Sequence, residues 1–105
     1  MSPQSQPEAG ASPTFSPSTN KIPARVRVLL IDDDDEFRES LSLNLMDEGF
    51  AVTTFASGPS ALEHLAAGES VDVILLDWRM PGMNGLEVLR ELRQRGVMTP
   101  VIFLT

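Results

Sequence analysis

Five aspartates carry the chemistry this sequence can offer. Four stand in a row, Asp32-Asp33-Asp34-Asp35, directly after the apolar run Val26-Arg-Val-Leu-Leu-Ile31. The fifth, Asp77, follows Val71-Asp-Val-Ile-Leu-Leu76 and precedes the loop Pro81-Gly-Met-Asn-Gly85. If those two apolar runs are neighbouring strands, Asp32, Asp33 and Asp77 converge. Three carboxylates at close range repel, and a divalent cation relieves the repulsion. Hard oxygen donors with room for water suit Mg²⁺. A calcium loop does not fit, because acidic residues at alternate positions around a central glycine are missing. The competing use of such carboxylates is to cap the next helix. That reading suits Asp34, Asp35 and Glu36, whereas Asp32 and Asp33, still at the strand end, suit the metal. For Asp77 a metal ligand, a nucleophile and a cap are all open. With Mg²⁺ alongside, attack on a phosphoryl donor becomes feasible and yields an acyl phosphate. Thr105, ending the last apolar run, would be placed to hydrogen-bond a phosphoryl oxygen.

The elements needed to position these groups follow from the patterning. Val26–Ile31, Ala51–Thr54, Val71–Leu76 and Pro100–Thr105 read as strands. Helices are expected after Asp35 (Phe37, Leu41 and Leu45 at spacings of four, stopped by Gly49), after Ser57 (Leu62, Leu65 and Ala66 inward, closed by Gly68) and over about 86–95 (Val88, Leu89 and Leu92 inward, stopped by Gly96). Strict β-α-β-α-β-α-β alternation with continuously apolar strands predicts an α/β fold, a three-layer, doubly wound parallel sheet. Ligands bind such sheets at the carboxyl ends of strands, near the switch point. Asp32–Asp35, Asp77 and Thr105 all lie at such ends.

Composition narrows the class. The 105 residues hold 15 acidic and 8 basic side chains, a net charge of −7. Such a balance argues against direct contact with nucleic-acid phosphates. Cysteine is absent, which excludes disulfides, thiolate metal sites and a cysteine nucleophile. Apolar runs are too short for a membrane span and the N-terminus does not read as a secretory signal, so a cytoplasmic location is expected. Residues 1–24 hold five of the eight prolines and five serines, and read as a disordered tail before a folded part over 25–105. His64 and the Arg90, Arg93, Arg95 group read as flank residues and a solvated face.

Three segments together carry a family resemblance: Val28-Leu-Leu-Ile-Asp-Asp-Asp34, Ile74-Leu-Leu-Asp-Trp-Arg-Met-Pro-Gly-Met-Asn-Gly85 and Thr99-Pro-Val-Ile-Phe-Leu-Thr105. In this order, with 44 residues from Asp33 to Asp77, they resemble the receiver domain of bacterial two-component response regulators, a CheY-like fold. The resemblance implies that Asp77 is the phosphoacceptor for a sensor histidine kinase. It implies Mg²⁺ held by Asp32, Asp33, Asp77 and the backbone carbonyl of Arg79, with Thr105 as a switch hydroxyl. Pro81 and Gly85 would shape the loop beside Asp77, and Trp78 would report on the metal. The domain would be a signalling module and no enzyme, forming the N-terminal part of a transcriptional regulator.

The match stops after the fourth strand, so the family's fifth strand with its phosphate-contacting lysine is not found, and Lys21 in the tail cannot replace it. An open strand edge and a half-covered sheet face are expected. The alternative function is therefore a non-phosphorylated binding module that titrates a kinase or regulator, or forms a homodimer through that edge. A haloacid-dehalogenase-like phosphatase fits less well. It needs a second acid two residues after the nucleophile, where this chain has Arg79.

Overall fold

The computed structural model describes residues 25–104. The expected tail at 1–24 and Thr105 lie outside the described residues. Seven elements follow in order: β1 (Arg27–Ile31), α1 (Asp35–Asp47), β2 (Ala51–Phe55), α2 (Gly58–Ala66), β3 (Val73–Asp77), α3 (Gly85–Gln94) and β4 (Val101–Leu104). The four strands form one parallel sheet in the order β2-β1-β3-β4. This is the expected doubly wound CheY-like architecture. The chain leaves β1 toward β2 and later crosses to β3 on the other side, so the switch point lies between β1 and β3.

Alternation along the strands sorts the core. Leu29, Ile31, Ile74 and Leu76 face α2 and α3, where they are fully buried with Ala61, Val88 and Leu92. Val28 and Leu30, offset by one residue, turn to the opposite face, where α1 packs on β1 and β2. Ile102 on β4 is 54% exposed, and Leu43 and Met46 of α1 are also exposed. Among the described residues β4 is a sheet edge, and the α1 side covers only half the sheet.

Details depart from simple periodicity. Ala61 is the buried alanine of α2, and Ala66 is exposed. On this nine-residue helix the inward face runs through Ala61, Leu62 and Leu65, which packs against the core, and Ala66 falls outside it. Phe37 is 45% exposed, although it shares the spacing of Leu41 and Leu45. It sits in the first turn of α1, at the sheet's edge. Arg93 belongs to no solvated face: it is half-buried, and its Nη1 donates to the carbonyls of Val97 and Thr99, tying the α3–β4 turn.

Two helix ends show how local chemistry sets the boundaries. Asn84 caps α3 by accepting from the Glu87 N–H at 2.9 Å, while the Glu87 carboxylate accepts from the Asn84 N–H at 2.9 Å. This reciprocal pair starts the helix directly after the Asp77 loop. Gly85, the first residue of α3, is buried. A Cβ there would lie 2.6 Å from the Asp77 carbonyl oxygen and 3.0 Å from the Trp78 Cα. Only glycine lets α3 start this close to the end of β3. Gly85→Ala is accordingly expected to destabilise the chain by about 1–3 kcal/mol, the cost of overpacking a close contact. Urea denaturation of the two proteins measures this difference.

Candidate functional site

Strand register brings the acids together. Ile31 of β1 pairs with Leu76 of β3, so the next residues, Asp32 and Asp77, leave the sheet side by side. One oxygen from each of Asp32, Asp33 and Asp77 falls within a set whose members all lie within 4.8 Å of one another. Asp32 is 4% exposed, Asp77 half-buried and Asp33 exposed. They line an open cleft of about 400 Å³ together with Asp34, Phe37, Arg79 and Leu104.

Each carboxylate is oriented differently. The Asp32 N–H extends the β1–β2 ladder by donating to the Phe55 carbonyl at 3.1 Å. Its Oδ1 accepts from the Asp34 N–H at 2.8 Å, closing an Asx turn. Asp34 in turn caps α1, its Oδ1 accepting from the Phe37 N–H at 3.1 Å. Asp34 therefore serves the helix, as its position after the strand suggested. The Asp77 Oδ1 accepts from the Arg79 N–H at 3.2 Å.

Asp77 bears the electrostatic strain. Partial burial lifts its carboxyl above the ordinary range, and repulsion from Asp32 and Asp33 acts in the same direction. The bond from the Arg79 N–H works against both. A carboxyl held back from ionising by burial, and further by neighbouring acids, is a group that a cation would relieve. Three hard oxygen donors at this spacing fit Mg²⁺.

Other residues singled out by the sequence fall as follows. Trp78 is 44% exposed beside Asp77 and meets Phe103 of β4 edge-on, ring centroids 4.8 Å apart. The Trp78 backbone N–H donates to the Leu104 carbonyl at 3.3 Å. Gly85 bonds back to the Trp78 carbonyl at 3.0 Å, closing the loop that contains Pro81. His64 lies against Phe55, 5.0 Å between centroids, away from the acids. Periodicity did not reveal Arg38. Its guanidinium reaches back from the fourth residue of α1 to the Asp32 carbonyl. The only available signal was a cation placed three residues after Asp35, on a helix that begins beside the acids.

Comparison with known proteins agrees with this arrangement. The response regulator receiver domain family matches residues 28–105. The DNA-binding transcriptional regulator NtrC of Escherichia coli K12 is 45% identical over 78 residues, covering 74% of this chain and 16% of that protein. The response regulator MprA of Mycolicibacterium vanbaalenii is 42% identical over 80 residues, covering 76% and 34%. This chain thus spans about a sixth to a third of the length of these relatives. Among solved structures, chemotaxis protein CheY4 of Vibrio cholerae is similar with a TM-score of 0.71 and 35% identity, over 76% of this chain and 68% of that one. Response regulator TrrA of Thermotoga maritima, solved in complex with Mg²⁺ and BeF, gives a TM-score of 0.70 and 36% identity, over 76% and 69%. None of the described helices is long and apolar enough to cross a membrane. A parallel sheet with this strand order, acids at its switch point and a family match across nearly all its described length identify the chain as a member of the response regulator receiver domain family of two-component systems.

Proposed function

We propose that the chain accepts a phosphoryl group on Asp77 from a sensor histidine kinase. In this reading Mg²⁺ is held by Asp32, Asp33, Asp77 and the backbone carbonyl of Arg79. The observation that carries the reading is the meeting of the three carboxylates at the mouth of the β1–β3 crevice. TrrA, solved with Mg²⁺ and a beryllium fluoride, supports the same pairing of metal and phosphoryl-like group.

An Asp77 carboxylate oxygen bonds to phosphorus while the bond from phosphorus to the donor's imidazole nitrogen breaks, and the imidazole leaves with the electron pair. Bound Mg²⁺ supplies positive charge against the phosphoryl oxygens and the carboxylates. Asp32, fixed by its two backbone-directed bonds, keeps its place as charge builds. The Arg79 N–H steadies one Asp77 oxygen and leaves the other for attack. Thr105, next after Leu104, is assigned the switch hydroxyl that bonds the new phosphoryl group. The open cleft lets a donor side chain approach from the carboxyl ends of the strands. The chain then works as a signalling module in the cytoplasm. Contact with DNA belongs to output segments such as those of its transcriptional relatives, because acidic residues outnumber basic ones 15 to 8 here.

Intact mass after incubation with acetyl phosphate and Mg²⁺ is expected to show one added phosphoryl group, abolished by Asp77→Asn. A wild-type protein without an adduct, or an adduct that survives the substitution, refutes the assignment. Mg²⁺ should also stabilise the fold by binding only the native state, by about 1.4 kcal/mol at ten times its Kd. In Asp33→Asn that gain should shrink, as followed by thermal unfolding. The raised pKa of Asp77 adds a pH dependence. A carboxyl whose folded pKa exceeds its unfolded one stabilises the fold fully below the unfolded value, and this is lost as pH rises through the folded one. Ionised Asp77 therefore opposes the metal-free fold at neutral pH. Without Mg²⁺, Asp77→Asn is expected to raise Tm at pH 7, and the advantage should fade toward the ordinary carboxyl value of 3.8.

A further inference from the structure

Arg79 lines the acidic cleft, and a second basic side chain, Arg38, reaches the backbone of one of its acids from α1. Arg38 Nη1 donates to the carbonyl oxygen of Asp32 at 2.8 Å. Its Nη2 donates to Asp35 Oδ1 at 2.7 Å. The Arg38 side chain is 19% exposed, whereas Asp35 is 84% exposed. The guanidinium is thus tucked under the β1–α1 turn, with Asp35 closing over it from outside.

The bond to Asp32 completes a set. The Asp32 N–H is held by the Phe55 carbonyl, its Oδ1 by the Asp34 N–H and its carbonyl by Arg38. Both backbone polar groups and one carboxylate oxygen are therefore engaged. This is the arrangement needed to keep one remaining oxygen aimed while the cleft fills with charge. Charge alone would make Arg38 an odd neighbour, since a cation beside a cation site repels the incoming ion. Its value must then lie in geometry. The rigid, forked guanidinium spans two acceptors at once, and an ammonium, as a point donor, does not match that shape.

We propose that Arg38 is a positioning residue for the Mg²⁺ site, clamping the Asp32 backbone so that its carboxylate stays in ligating position. This rests on the reading of Asp32, Asp33 and Asp77 as metal ligands. Geometry and charge predict opposite signs for its removal. If Arg38 acts only through its charge, Arg38→Ala tightens Mg²⁺ binding. If it acts as a clamp, Arg38→Ala loosens it, by about tenfold or more as for other residues that orient metal ligands.

The test is a MgCl₂ titration of the full chain, read by Trp78 fluorescence and by the Asp33 and Trp78 backbone amide NMR shifts. It is run well below the Tm of each protein, so that only folded molecules are titrated. Wild type, Arg38→Ala and Arg38→Lys are compared. The clamp predicts a Kd raised about tenfold in Arg38→Ala and raised in Arg38→Lys as well, because the charge stays and the fork is lost. A merely structural arginine would lower Tm and leave the Kd of the folded protein unchanged, which overturns the proposal. So does an Arg38→Ala protein that binds Mg²⁺ more tightly. Should Arg38→Ala not fold, Arg38→Lys decides, and a wild-type Kd there overturns the clamp. A wild-type chain that gives no Mg²⁺ response removes the metal reading itself, and the clamp with it. That failure is recognised in the first titration, before any variant is compared.

Discussion

Repulsion among three carboxylates at one sheet edge is the constraint around which the rest of this structure is arranged. It is imposed by register: once Ile31 pairs with Leu76, Asp32 and Asp77 are neighbours regardless of what their side chains prefer. Coulomb repulsion at these separations is weakened by water on the Asp33 side, which is exposed, and least weakened at Asp32, which is buried. The fold compensates with donors. Backbone N–H groups of Asp34 and Arg79 point at Asp32 and Asp77. The start of α1 adds its positive dipole end beside the same group. Asp77 still holds its proton more tightly than usual, first because it is partly buried and then because Asp32 and Asp33 repel its charge.

The apolar architecture serves the same edge. Leu29, Ile31, Ile74 and Leu76 are fully buried, so the two strands that carry the acids are the most deeply seated pair. Burying each such side chain contributes roughly 1.5–3 kcal/mol. That reserve holds the strand ends in place against the charge they present. Gly85 completes the support, since α3 abuts the backbone of Asp77 and Trp78 with no side chain between. A scaffold this close leaves Asp77 little freedom except at its carboxylate.

Much of this was legible in the sequence, and the reason is physical. An aspartate ending an apolar strand must emerge at the sheet edge, so Asp32, Asp33 and Asp77 could be placed from patterning alone. Gly85 was singled out only through the family resemblance, as a residue of the loop, whereas it is the first residue of α3 and its need for glycine shows only in the close approach to Asp77 and Trp78. Longer side chains and short helices were harder. Which alanine of α2 faces inward depends on where that nine-residue helix sits on the sheet, which its periodicity does not encode. Phe37 matches the spacing of Leu41 and Leu45 but lies one turn too early to reach the core. Arg38 spans four rotatable bonds, and the direction it takes depends on acceptors supplied by a turn six residues away.

The pairing of β1 with β3 also bears on kinetics. The acids meet only after a parallel pairing between segments more than forty residues apart, with a helix, a strand and a second helix closed between them. Such non-local pairing is slow to form and is completed late. A cation gripped by this cluster would then find no site in the early, local stages of folding. It would act on the finished pairing, slowing unfolding and leaving the folding rate nearly unchanged. The same register that creates the charge problem would make its relief a lock on the native state and no guide toward it.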